Sequence, residues 1–238
     1  VAVPVAAAGR ANDWEVLHGA EMKSIWPADT DPKSHSSSNK AAFFIWSDRN
    51  GDAQVQADEV SMRKTTCGGV TVMDDLSFVF SRMEGACTRL SPKEFTAGGV
   101  PLYELGAIET LLQDAQGPPS SGGDQALVGP DGWTIHTTAP KPFSSSGIGG
   151  AKNGTALWSY PSLWPGLHAS HEAPVPDQPG IVIGHTRLLG GVLKSGGEPM
   201  WMINGNHGPI YVFTLDGLFV AQIFQDMRLG RQWSMPVA

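Results

Sequence analysis

The chain has 238 residues, a formal net charge of −7, and 16% charged against 41% hydrophobic residues; an ordinary globular protein carries roughly 25% charged residues. The negative balance excludes the basic footprint of a nucleic-acid binder, and no apolar run approaches the roughly 18 residues of a membrane span. Glycine (29) and proline (18) punctuate the sequence often enough to favour many short strands over long helices.

The first ten residues, Val1 to Arg10, carry neither Met nor a basic segment. They do not read as an intact signal peptide, although a processed or truncated start would look the same. Glu15 to Trp26 reads as a strand or a short helix. Asp29 to Lys40, polar and rich in Pro and Ser, reads as loop. Phe43-Phe-Ile-Trp46 is a β-rich run that breaks into a loop with oxygen side chains at Asp48, Asn50 and Asp52, followed by a carboxylate at Glu59. With Asp48 as position 1, these are positions 1, 3, 5 and 12, the spacing at which an EF-hand-type loop wraps Ca²⁺. A hard cation needs six to eight oxygens. Alternate side chains of a coiled loop turn inward to supply them, Gln54 at position 7 gives its backbone carbonyl, and Glu59 closes the shell. Val55 at position 8 is apolar and suited to pinning the loop on a core. Ala53 stands at position 6, where the pattern has Gly. The competing reading is a polar turn between strands, with Asn50-Gly51 supplying positive φ. Because a strand leads into the loop, the ion is expected between strands, as a fold staple more than a catalytic centre.

Cys67 and Cys87 flank a hairpin-like stretch, so a disulfide joining its ends and a pair of buried thiols are both open. Together with a calcium loop, they place the protein outside the cytosol: periplasmic, cell-surface or secreted. Val70 to Phe80 alternates as a hairpin about Asp74-Asp75. A short strand is expected within Gly98 to Leu105, a helical turn or two over Ala107 to Gln113, and a Gly/Pro/Ser loop over Gln116 to Asp124. Ala126 to His136 reads as a hairpin with Asp131-Gly132 at its turn. Asn153-Gly154 precedes a strand over Thr155 to Tyr160, and Ile181 to Leu189 is a further strand. The clearest hairpin is the last, Pro209 to Phe224 about Asp216-Gly217, with β-branched and aromatic residues in both arms.

Recurring hairpins of one type, with aromatic residues beside them and long connections between, predict an all-β fold. A β-propeller, complete or partial, is favoured over a sandwich or barrel. At about 40–50 residues per blade the chain would supply roughly five, read as a single domain over 1–238 or as a piece of a longer chain.

The run Phe44-Ile-Trp-Ser-Asp-Arg-Asn-Gly-Asp, with Asp58-Glu-Val after it, resembles the calcium-loop insertions of large exported bacterial β-propeller proteins of the NHL-like kind. Ile210-Tyr-Val-Phe-Thr-Leu-Asp-Gly-Leu-Phe-Val is similar to an NHL-type outer hairpin. The resemblance implies a propeller and carries Asp48, Asn50, Asp52, Gln54 and Glu59 over as ion ligands. It speaks to architecture and not to activity, since propellers host binding and catalysis alike.

Leu157 to Glu172 is the most unusual stretch. His168 and His171, with His185 and His207, form a second candidate site. Neutral imidazoles suit a transition metal such as zinc or copper, although the order does not match a zincin and the alternative is hydrogen-bonded loop histidines. Trp158, Tyr160 and Trp164 form a candidate glycan platform, with packing between sheets as the alternative. Asp131, Glu172, Glu198 and Asp216 lie beside turns, and His185-Thr-Arg187 could pair a base with an anion-binding group. No Gly-x-Ser-x-Gly elbow is present. These readings lead to an exported, calcium-stabilised binding or scaffold module with a protein or carbohydrate ligand. The second reading is a polysaccharide lyase or glycoside hydrolase using residues 157–172.

Overall fold

Ala6–Arg10 (β1) lies antiparallel to Phe43–Ser47 (β2), which in turn pairs with Val60–Arg63 (β3). All five residues of β2 are buried, and its two faces enter different cores. Phe43 and Ile45 join Phe78, Phe80, Met83, Leu90 and Tyr103, while Phe44 and Trp46 join Leu17, Met22 and Val60. Full burial of a side chain of this size contributes about 1.5–3 kcal/mol, so the strand is fixed from both sides. The computed structural model describes residues 2–35, 38–116, 124–137, 139–140, 146–161, 187–188, 193–195, 197–205 and 207–229, with 175, 177 and 178.

Between β1 and β2, Ala11–Asp13, Glu15–His18 and Ala20–Ile25 form short 3₁₀ turns. Asn12 ties this segment down: its Oδ1 accepts from the Ala42 amide (2.9 Å) and its Nδ2 donates to the Asp31 carbonyl (2.8 Å).

Val70–Val72 (β4), Phe78–Met83 (β5) and Ala86–Leu90 (β6) form an antiparallel meander. Glu94–Phe95 (β7) and Pro101–Leu102 (β8) pair as a small ribbon. Glu109–Leu112 (β9) then adds to the far side of β6. The helical turn expected over Ala107 to Gln113 is therefore a strand, with a 3₁₀ turn just before it at Leu105–Ala107. Pairing with a sheet edge overrides a weak local helix preference. Cys67, in an isolated bridge to Met83, and Cys87, in β6, are both buried.

Ala115–Gln116 (β10) precedes a second meander. It runs through Ala126–Val128 (β11), Trp133–His136 (β12), Ser146–Lys152 (β14) and Thr155–Pro161 (β15), while Ala139–Pro140 (β13) pairs with β10. A third sheet contains Arg187–Leu188 (β16), Leu193–Ser195 (β17), Glu198–Asn204 (β18), Ile210–Thr214 (β19) and Phe219–Gln222 (β20). The expected Asp-Gly and Asn-Gly turns are present. Asp131 and Gly132 take φ of 53° and 75°, and Asn153 and Gly154 take 49° and 77°, the left-handed pair of a tight hairpin. The expected strand over Ile181 to Leu189 is described at Arg187–Leu188, and most of the Gly/Pro/Ser stretch from 117 to 123 lies outside the described residues.

The protein is thus all-β, built from antiparallel sheets. Its contacts divide it into two compact units, 1–110 and 111–238, with the boundary inside β9. Among the described residues no helix is long and apolar enough to cross a membrane.

Candidate metal centre

The loop from Asp48 to Glu59 is the connection between β2 and β3, held by the Trp46–Val60 pair at its base. Asp48 follows the buried end of β2 and is itself 1% exposed, with its amide bonded to the Val5 carbonyl at 2.9 Å. Its Oδ1 accepts from the amides of Gly51 (2.8 Å) and Asp52 (3.2 Å), and its Oδ2 from the amide of Ala53 (3.0 Å). Asn50 Oδ1 accepts from the Asp52 amide (2.9 Å), and Asp52 Oδ1 from the Gln54 amide (2.7 Å). Glu59, 5% exposed, reaches back across the loop. Its Oε1 accepts from the Arg49 amide (2.7 Å) and its Oε2 from the indole Nε1 of Trp46 (3.1 Å). The sequence thus supplies a coil in which positions 1, 3, 5 and 12 hold one another through the intervening N–H groups. Ala53, at position 6, has φ +59°: the chain makes the turn that Gly makes in such loops, with a β-carbon present.

Room for a calcium ion depends on what the N–H groups leave open. A carboxylate oxygen has two lone-pair directions. Asp48 Oδ2, Asn50 Oδ1, Asp52 Oδ1 and Glu59 Oε2 each accept a single hydrogen bond among those described. One oxygen per group therefore keeps a free direction, and the Gln54 carbonyl is the fifth ligand that the spacing predicts. Water completes such a shell. Gln56, at position 9, is an addition the ligand count from sequence did not include. Its Nε2 donates to Asp52 Oδ2 (2.7 Å), while its buried Oε1 has no hydrogen-bond partner among the described residues. Position 9 acts through water in calcium loops of this spacing, a role that its place in the sequence would equally have suggested for Gln56.

Asp48, Asp52 and Glu59 bring three carboxylates to one loop, and among the described residues none of them forms an ion pair with Lys, Arg or His. A buried carboxylate is costly unless it is paired or hydrogen-bonded, and here the loop amides and the Trp46 indole N–H supply the hydrogen bonds to Asp48 and Glu59. Among the described residues no group of three His, Cys, Asp or Glu side chains converges as a metal site by itself. The oxygen set that the spacing predicts includes an amide side chain and a backbone carbonyl as well.

The second candidate set is only partly within view. His168, His171, His185 and Trp164 lie outside the described residues, as does Glu172. His207 sits in the turn between β18 and β19 at φ +69°, its carbonyl accepting from the Met227 amide. It adds to the field that holds the nearby Asp226 carboxyl below its usual range, after the larger effect of the Arg228 hydrogen bond. Trp158 and Tyr160 point across to the β19–β20 turn. Their Nε1 and hydroxyl donate to the carbonyls of Leu215 (2.9 Å) and Gly217 (2.7 Å), and both rings pack on Phe213. Asp131 and Asp216 occupy hairpin turns, and Glu198 is exposed at the start of β18.

One buried titratable group escaped the sequence reading. His136 in β12 is fully buried, with Nε2 2.7 Å from Thr134 Oγ1 and Nδ1 without a hydrogen-bond partner among the described residues. Burial pushes its imidazole down to about 4. A lone His on an alternating strand gives no sign of which face it occupies.

Comparison with family models, with curated proteins and with solved structures finds no match.

Proposed function

We propose that this chain is an exported, calcium-stabilised binding or scaffold module of the β-propeller type. The observation that carries the calcium reading is Asp48: a carboxylate 1% exposed, gripped by three successive loop amides and lacking a cationic partner among the described residues. Calcium at this loop would be bound by Asp48, Asn50, Asp52 and Glu59 with the Gln54 carbonyl, and its chemistry is to neutralise the three carboxylates and lock the β2–β3 connection. The propeller reading draws on three antiparallel sheets in succession, over residues 70–112, 126–161 and 187–222. Each is close to the four strands and about 40–50 residues of a blade. Export follows from the ion: a weak loop fills where calcium is millimolar.

The test is a calcium titration by calorimetry together with melting curves in calcium and in chelator. For a site with Kd of about 10⁻⁴–10⁻³ M, ~1 mM calcium adds about 0.4–1.4 kcal/mol. For a protein of this size that is roughly 1–5 °C. Asp48→Ala should abolish the shift and the binding heat. A wild-type protein that binds no calcium and melts identically in both buffers would overturn the reading.

A further inference from the structure

The 3₁₀ turns and the loop after them border a half-open hollow of about 350 Å³, whose walls include His18, Lys23, Trp26, Pro27, Thr30 and Pro32. That volume falls within the range of about 300–1,000 Å³ of small-molecule sites. The hollow is a built feature. The Trp26 indole N–H is committed to the Leu17 carbonyl at 2.8 Å, which fixes the ring and leaves its surface for contact. The His18 and Trp26 rings stand 6.1 Å apart and inclined at 58°, forming a corner. Thr30 donates both its amide and its hydroxyl to the Pro27 carbonyl, so the hydroxyl oxygen remains an acceptor. Asn12, through Asp31, holds the segment that carries Pro32.

The polar groups around this corner define a ligand. Lys23 has no carboxylate within ion-pairing distance among the described residues, although the chain carries net negative charge. His18 and Lys23 are both exposed, whereas Trp26, Pro27, Thr30 and Pro32 are half-buried. The hollow therefore has an apolar floor and an open side that carries the Lys23 ammonium group and the His18 imidazole. The Glu21 carboxylate lies against Gly19 on the rim, an acceptor suited to hydroxyl groups. A flat ring with an apolar face, several hydroxyls and one carboxylate satisfies all of these groups together. The open side suits a segment of polymer lying across the hollow better than an engulfed small molecule.

We propose that the Trp26 hollow is a binding subsite for acidic polysaccharide, seating a uronate ring on Trp26 and Pro27 with its carboxylate toward Lys23 and His18. The proposal rests on reading the chain as a binding module and not on the calcium loop. It is tested by calorimetric titration of the full chain with an oligogalacturonate, in chelator so that no calcium bridges ligand and protein. Saturable binding is expected, with a neutral galacto-oligosaccharide of equal length failing to bind. Free galacturonate should bind the same site more weakly. Lys23→Gln and His18→Ala, both exposed changes checked by unaltered melting curves, should each weaken binding about two- to fivefold, the range of an exposed charge contact. Lys152→Gln, over the Trp133 ring, serves as a control and should leave it unchanged. Absence of saturable binding, equal binding of the neutral oligomer or of polyglutamate, or indifference to both variants would overturn the proposal. None of those results touches the calcium titration, so the two readings fail separately.

Discussion

Ala53 carries a φ of +59° at the one loop position where a β-carbon is least welcome. An L-residue in that region costs roughly 1–2 kcal/mol, and Gly returns about 0.5–1 kcal/mol of it as lost freedom in the unfolded chain. Ala53→Gly should therefore stabilise the protein by about 0.5–1 kcal/mol, read by urea unfolding in chelator. If the loop binds calcium, the same change should not weaken it. Trp46 offers a second test of how the site is held. Its ring is buried and its N–H is the donor to Glu59 Oε2 at 3.1 Å. Trp46→Phe keeps most of the apolar contact but leaves a buried carboxylate oxygen short of its donor, a loss of about 1–3 kcal/mol. Because calcium would take up that oxygen, the loss should be smaller in calcium than in chelator; an equal loss in both would separate Glu59 from the ion.

At the scale of elements, hairpins were legible because their turns write themselves in residue type: Asp131-Gly132, Asn153-Gly154 and Asp216-Gly217 all sit where the pattern placed them. The strand β2 was legible because four aromatic or branched residues in a row admit little else. Less was legible where pairing at a distance decides, as in β9, whose Glu-Thr-Leu-Leu carries no strong strand signal. The loop's spacing of oxygen side chains could be read, but its network of amide donors could not, since that depends on the coil being closed. The partners of Trp158 and Tyr160, 57 residues away, were equally out of reach. Their packing yields a prediction. Gly217 has φ +91°, and a Cβ there would meet the Trp158 ring at 2.5 Å; Gly85 has φ +83° with open space around it. Both substitutions by Ala incur the backbone penalty of about 1 kcal/mol or more, but Gly217→Ala must also displace a ring pinned to Leu215. It should destabilise by about 1–3 kcal/mol beyond Gly85→Ala, measured by chemical denaturation of the pair.

At the scale of the whole molecule, the loop proposed to bind calcium, Asp48–Glu59, and the buried imidazole of His136 fall in different units, 1–110 and 111–238. Calcium and acid should therefore act on separate parts of the chain. The sign of the acid effect follows from His136, whose folded imidazole titrates at about 4 against 6.5 when exposed. Above pH 6.5 it is neutral in both states and contributes nothing. Between 6.5 and 4 the unfolded chain takes up a proton that the folded one refuses, so stability falls as pH drops through that window and levels off below it. The full loss is on the order of 3 kcal/mol. Replacing the imidazole by a group that does not titrate, His136→Gln, should flatten this slope whatever it does to absolute stability. Hydrogen exchange separates the two sensitivities. Lowering pH from 7 to 4.5, with rates corrected for intrinsic exchange, should speed opening of β11 to β15 first. Chelating calcium at pH 7 should speed opening of β1 to β3 and leave β11 to β15 as they were. Uniform loosening under either condition would mean that the chain opens as one cooperative body, and that neither site governs only its own surroundings.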